Sequence, residues 1–312
     1  MILRCAPIFQ KRLWGGRKLA SQFDYMIPDG NIGECWGISG HTNGMSVISE
    51  GRFEGYTLET LWSDYRSLFG PYTLPEFPIL VKILDANQKL SVQVHPSDVQ
   101  ASLLEGERYG KTECWYILEA EEGAEIILGH TASTKDGLRD SVNRADWETL
   151  LRKQPVRTGD FIFVPSGTVH AIGEGIVILE TQQSSDTTYR LYDFDRIGED
   201  GQKRTLHLDR ALAVVSVPDQ PEVIRVDEVS VAGGKMKTLI QKPEFNVYHV
   251  TTDDGFTFHP LDRFRMVTIV KGSGKIEDVS VQAGDHLIVT RGDDRYTCHG
   301  QFEFIMSDVE LQ

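Results

Sequence analysis

The chain reads as mainly β: a jelly-roll barrel with helical insertions, followed by a second, smaller jelly roll at the C-terminus. Three observations lead there. Short apolar runs recur between clusters of Gly, Pro, Asn and Asp, the spacing typical of sandwiches and barrels. A turn-and-strand pattern occurs twice, as Gly159-Asp160-Phe161-Ile162-Phe163-Val164 and as Gly284-Asp285-His286-Leu287-Ile288-Val289. Residue types that bind metals occupy strand-like positions in two distant segments, Ser91 to Pro96 and Gly159 to His170.

The predicted strands of the first barrel are Pro78 to Leu84, Leu90 to Val94, Cys114 to Leu118, Glu125 to Leu128, Phe161 to Val164 and Ile176 to Glu180. Helical patterns interrupt them. Between Thr57 and Phe69, residues Leu58, Leu61, Trp62, Tyr65, Leu68 and Phe69 share one face, and Gly70 is placed to stop the helix. Further helices are expected over Asp98 to Glu105, Ala145 to Lys153 and Leu208 to Val215; their apolar stripes read as core. In the second copy of the repeat, Thr290 replaces Pro165 and Arg295 stands where the first copy has His170. That copy keeps the barrel turn and loses the ligand. The expected division is therefore 1–235, a metal-bearing barrel with helical segments, and 236–312, a small metal-free jelly roll. The acidic stretch Pro218 to Asp227, with Pro221, is the expected linker.

A net charge of −14 argues against nucleic acid and acidic membranes as partners, because the mean field repels polyanions. A small anion needs a local basic pocket, for which Lys111 and Arg190 are the first candidates and Lys82 and Lys89 the next. No stretch approaches the ~18 apolar residues of a membrane span. The start Met1-Ile2-Leu3-Arg4-Cys5 lacks the pattern of a secretory signal, so the cytoplasm is expected. Cys5, Cys35, Cys114 and Cys298 are scattered without a C-x-x-C pair, which excludes a thiolate zinc site and a disulfide scaffold.

Residues two apart on a strand project to one face, so Gln93 and His95 look inward together. The second segment has the form G-x5-P-x-G-x2-H, an apolar strand followed by a turn that aims His170 back inward. Between them, Glu113 opens another strand in Lys111-Thr112-Glu113-Cys114-Trp115-Tyr116. His95 before a proline would, alone, be an ordinary hydrogen-bonded histidine. In company, Gln93, His95, Glu113 and His170 form a set suited to Zn²⁺ or another first-row divalent ion with one position open. Asp98 is a nearby carboxylate better suited to capping the next helix. Ser97 occupies the carboxylate position of a facial-triad oxygenase, which weakens that reading.

The G-x5-P-x-G-x2-H segment resembles the second motif of the cupin superfamily, with Q-x-H in place of the usual H-x-H of the first. Lys111-x-Glu113, Val81-Lys82 and Glu180-x5-Asp186-x3-Arg190 extend the likeness to the type I phosphomannose isomerases, in their short bacterial form. Lys11-x2-Trp14-Gly15-Gly16 and Gly33-Glu34-Cys35-Trp36-Gly37-Ile38-Ser39 look like that family's opening motifs. Ser185-Asp186-Thr187-Thr188-Tyr189-Arg190 is a looser match, since longer members usually read S-D-N-V-x-R.

The resemblance implies interconversion of mannose 6-phosphate and fructose 6-phosphate through an enediol, with one zinc ion per chain on Gln93, His95, Glu113 and His170. It implies that Lys111 meets the substrate at its phosphate and that Asp186, or else Glu180, carries the proton. Arg190, a permanent planar cation, suits stabilisation of the enediolate. Trp14 is expected to wall the pocket. The protein would be a monomer or homodimer. The competing reading is a non-catalytic cupin that binds a sugar phosphate as a sensor, for which a proton-transfer pair beside the metal has no use.

Overall fold

Three antiparallel sheets organise the chain. Residues 1–198, 201–220, 222 and 224–310 are described by a computed structural model; Pro221 of the expected linker lies outside them. The six-stranded sheet runs in the order Ile8–Gly16, Ile32–Ser39, Ile79–Ala86, Ile176–Gln183, Glu113–Ala120, Phe161–Val164. The five-stranded sheet follows the order Tyr189–Tyr192, Val92–Val94, His170–Ala171, Glu125–His130, Leu151–Pro155. A ten-stranded sheet holds the C-terminal strands. The chain is thus mainly β, as its sequence predicts.

Three strands of the six-stranded sheet, Ile32–Ser39, Ile79–Ala86 and Ile176–Gln183, are buried at every residue. Both faces of a strand are then covered, which is why Ile79-Leu80-Val81-Lys82-Ile83-Leu84 reads as a nearly unbroken apolar run. The two-residue period sorts the faces. Cys35, Val81, Ile83, Cys114, Val177 and Leu179 pack into a core shared with the ten-stranded sheet. Leu84, Ala86, Trp115, Ile117, Ile176 and Ile178 pack into the interior of the first barrel with Ile126 of the opposite sheet and with Ile172, which follows strand His170–Ala171. Lys82, Glu180, Trp115 and Glu113 belong to this interior face: Glu180 lies opposite Lys82 on one side and Trp115 on the other, and Glu113 opposite Gln182.

The ten-stranded sheet reaches further back than residue 236. It takes in Asp227–Val231 and Gly234–Gln241, so the expected boundary falls within a strand. Its edge is also paired with the N-terminal strand Ile2–Cys5, which runs antiparallel to His286–Val289. The two β units are therefore tied through the first residues of the chain as well as through the linker.

Helix Asp98–Glu105 begins in a capping box between Ser97 and Gln100 and ends at left-handed Gly106. The amphipathic run from Thr57 gives helix Leu58–Asp64, and the chain then tightens into a 3₁₀ turn at Arg66–Leu68. The expected helix over Ala145 to Lys153 is corrected: only Trp147–Leu150 is helical, and Leu151–Pro155 becomes an edge strand paired with Glu125–His130. Tertiary pairing overrides the helical pattern there, and Pro155 is tolerated at the end of an edge strand. No helix among the described residues is long and apolar enough to cross a membrane.

Candidate metal centre

His95, Glu113 and His170 come together from three separate elements, each offering a ligand atom within 4.8 Å of the others. Glu113 is the first residue of its strand and His170 begins a two-residue strand. His95 follows Val92–Val94 directly. All three are buried. Glu113 Oε1 stands 3.4 Å from His170 Nε2, and Glu113 Oε2 stands 3.6 Å from His95 Nε2. Gln93 pairs in register with both His170 and Arg190, and directly opposed residues share a face. Three of the four expected ligands thus converge, and Gln93, which lines the cavity, stands in register with one of them.

The residues fit a divalent cation by their own chemistry. His95 Nδ1 lies 2.9 Å from the Thr187 carbonyl and His170 Nδ1 lies 2.9 Å from the Thr168 carbonyl. A carbonyl only accepts, so each Nδ1 carries the proton and each Nε2 presents a lone pair to the cluster. His170 Nε2 is buried and has no hydrogen-bond partner among the described residues. Such an orphaned buried nitrogen calls for a ligand. Burial, with the Lys111 charge, lowers the pKa of both rings, that of His170 to about 4. Neutral imidazole is the form that ligates metals. Trp115 Nε1 donates to Glu113 Oε1 at 3.0 Å and fixes that carboxylate from behind.

Lys111 is buried between the cluster and the cavity. Its Nζ donates to Glu113 Oε2, to Glu180 Oε1 at 3.1 Å, and lies 3.2 Å from His95 Nε2. Burial opposes its charge, but Glu113 and Glu180 together hold the ammonium protonated above its ordinary range. Glu180 is pushed up to about 7 by burial and by Glu113, with Lys111 and Lys82 opposing.

The cavity has a volume of about 460 Å³, the size of a small-ligand site. Lys111, Glu180, Gln93, Asp186, Arg190 and Trp14 all line it. His95, Glu113 and His170 are buried and do not line it; Lys111, which does, touches both His95 and Glu113. Trp14 is both wall and core, at 5% exposure. Asp186 Oδ2 accepts a hydrogen bond from Asn43 Nδ2 at 3.1 Å. Arg190 Nη1 donates to the Thr205 carbonyl at 2.8 Å, while its Nε is buried without a partner among the described residues. Burial and the neighbouring Arg204 and Arg196 lower the Arg190 pKa. Of the other basic candidates, Lys82 lines the cavity with its ammonium 4.9 Å from the Trp36 ring. Lys89 faces a different cleft, beside Phe194.

Sequence reasoning did not assign a site role to three charged cavity residues: Arg12, Glu34 and Arg204. Arg12 Nε donates to Glu34 Oε1 at 2.8 Å, and Trp36 Nε1 donates to Glu34 Oε2 at 2.6 Å. Burial raises the Glu34 pKa, yet Lys82 and Arg12 pull it down to about 2. The Glu34-x-Trp36 spacing on one strand was an available clue. Arg204 had none: it arrives from a loop and is forked onto Asp193 at 2.7 and 2.5 Å.

Residues 2–127 match the family described as phosphomannose isomerase type I, catalytic domain. The chain is 43% identical over 307 residues to the mannose-6-phosphate isomerase ManA of Bacillus subtilis, spanning 97% of each. It is 44% identical over 301 residues to the mannose-6-phosphate isomerase of Streptococcus mutans, spanning 95% of each. The crystal structure of mannose 6-phosphate isomerase from Bacillus subtilis superposes with a TM-score of 0.96 at 39% identity, over 99% of both chains.

Proposed function

The chain belongs to the type I phosphomannose isomerase family, and from that membership we propose that it interconverts mannose 6-phosphate and fructose 6-phosphate. Moving a proton between C1 and C2 of the open-chain sugar through an enediol needs three things. They are a proton carrier, a stabiliser for charge developing on oxygen, and a grip on the phosphate.

Gln93, His95, Glu113 and His170 are the proposed ligands of one zinc ion. When bound, zinc would supply Lewis-acid polarisation of a sugar oxygen. Arg190 is proposed to stabilise the enediolate, because it lines the cavity with a buried, uncommitted Nε. Glu180 and Asp186 are the candidate proton carriers. Glu180 sits deep, bonded to Lys111, and Asp186 sits on the loop held by Asn43. Lys111 is already engaged by two carboxylates, so it serves the reacting end, where it can hold a proton for Glu180. The phosphate then falls to Arg204, which lines the cavity and shares the carboxylate of Asp193 with Arg196. Trp14 closes the wall against water.

The observation that carries the proposal is the orphaned His170 Nε2 facing Glu113 and His95, directly behind a cavity lined by Arg190 and Asp186. A coupled assay for fructose 6-phosphate formed from mannose 6-phosphate tests it. Turnover should vanish with a chelator and return with added Zn²⁺. Full turnover by protein verified as metal-free would refute the zinc assignment, and no turnover in the zinc-loaded protein would refute the isomerase.

A further inference from the structure

We propose that Glu107 is a positioning residue for the metal centre, acting through Thr187 on the ring of His95. The inference rests on the metal-centre reading given above. His95 keeps Nε2 turned to the cluster only while its Nδ1–H has the Thr187 carbonyl to donate to, at 2.9 Å. That carbonyl belongs to a segment without strand or helix, Ser185 to Thr188, so no ladder hydrogen bond fixes it.

Glu107 does. Its Oε2 accepts from Thr187 Oγ1 at 2.6 Å and from Ser185 Oγ at 3.4 Å. The Thr187 amide in turn donates to Ser185 Oγ at 3.3 Å. One carboxylate therefore holds two of the three hydroxyls of the segment, those of Ser185 and Thr187, and a charged acceptor makes the stronger kind of hydrogen bond.

The connection closes a short circuit in the chain. His95 is followed by Pro96, the Ser97 capping box and helix Asp98–Glu105. Gly106, at φ 72°, then turns Glu107 back onto the segment that orients His95. The helix is tied to the same region at its start, where Asp98 Oδ1 accepts from Gln183 Nε2 at 2.8 Å, and at its end, where Tyr189 Oη donates to Glu105 Oε1 at 2.7 Å. Asp186, between the two tethered hydroxyls, is carried into the cavity by the same clasp. Glu107 itself is exposed, so its truncation removes no core packing.

The test uses full-length Glu107→Ala, Glu107→Gln, Thr187→Val and the double variant Glu107→Ala/Thr187→Val. Cobalt(II) affinity is measured by competition with a chromogenic chelator, and the His95 Nδ1–H resonance is followed by ¹⁵N-histidine NMR in metal-free protein. Glu107→Ala and Thr187→Val should each weaken cobalt binding by about tenfold, the lower end for partners of a metal-binding histidine. The double variant should be no weaker than either single, because both remove one shared bond. Glu107→Gln, which retains an acceptor, should restore most of the affinity, and the His95 Nδ1–H signal should broaden only in the variants that bind weakly. Affinities within twofold of the parent, losses that multiply in the double variant, or an unchanged His95 resonance would overturn the tether. Cobalt binding that persists in His95→Ala overturns the metal-centre reading itself, a result separable from intact His95-dependent binding that ignores Glu107.

Discussion

The two Gly-Asp turns of the chain are built alike and end differently. Gly159 and Gly284 adopt φ of 91° and 95°. In each, the following aspartate accepts from the backbone amide three residues earlier at 2.8 Å, Asp160 from Arg157 and Asp285 from Gln282. Each turn launches a four-residue strand. Past the strands the copies part. Pro165 to Gly167 bend the first copy so that His170 enters the barrel, fully buried. Thr290 to Gly292 lead the second to Arg295, which is exposed. The turn is thus a folding device used in both β units, and the candidate metal ligand is added only where the next turn aims a side chain inward.

A second contrast lies within the same copies. The position of Phe161 in the first turn is His286 in the second, and His286 is buried at the seam between the two β units. Its Nδ1 lies 2.9 Å from Thr268 Oγ1 and its Nε2 lies 3.1 Å from Tyr25 Oη. Both ring nitrogens are satisfied, whereas His170 keeps Nε2 without a partner among the described residues. Burial alone does not distinguish a ligand histidine from a structural one. An unspent nitrogen facing other ligand-type side chains does: His130 Nδ1 is also buried without a partner, but His130 belongs to no such cluster among the described residues.

The largest effect that would break this comparison is expected from His170→Ala set against Arg295→Ala. Loss of His170 should lower metal occupancy and isomerase turnover together, beyond the ~10–100-fold that follows loss of a mere partner of a metal ligand. Arg295→Ala should change neither. Metal analysis and the fructose 6-phosphate assay on both variants decide the matter. Arg190→Ala comes next: zinc should remain bound while kcat falls by ~10²–10³, the range for removing a donor to a developing oxyanion. A change confined to KM would make Arg190 a binding group instead.

The candidate metal site was legible because its information is local. A period of two aligns Gln93 with His95, and the Pro165/Gly167 turn aims His170, so adjacent residues suffice. The parts that were not legible depend on partners far away in the chain. The strand Leu151–Pro155 exists because Glu125–His130 pairs with it, and nothing in Trp147 to Lys153 records that. Arg204 reaches the cavity by a loop, and the Thr187 carbonyl that orients His95 is backbone, which any residue type could supply. The edge formed by Ile2–Cys5 on His286–Val289 joins residues from opposite ends of the chain.

His286 predicts a pH effect of intermediate size that His170, as a ligand, would mask. Burial holds its folded-state pKa down to about 3, against about 6.5 in an unfolded chain. As pH falls below about 6.5 the unfolded chain takes up the proton and the folded chain does not. Stability from this group is therefore complete above that value and declines by up to about 1.4 kcal/mol per pH unit toward pH 3. Denaturant unfolding of the parent and of His286→Asn across pH 5 to 7 should give a steeper acid loss for the parent. Parallel curves would mean that the ring is not titrating at the seam.

The smallest and most discriminating change is Gly→Ala in the two turns. Left-handed backbone disfavours any Cβ by about 1–2 kcal/mol, so both variants should lose that much. The surroundings then separate them. A Cβ on Gly159 meets nothing within 4 Å, whereas one on Gly284 would stand 2.9 Å from Phe23 Cβ and 3.0 Å from Tyr25 ring carbons. Phe23 is a buried core residue and Tyr25 bonds to the Gly284 carbonyl at 2.5 Å and to His286, so that neighbour cannot yield without disturbing the seam. Gly159→Ala should therefore cost only the backbone term, and Gly284→Ala more. Equal losses in the two variants would show that the second turn is no more tightly packed than the first, and that the seam does not depend on it.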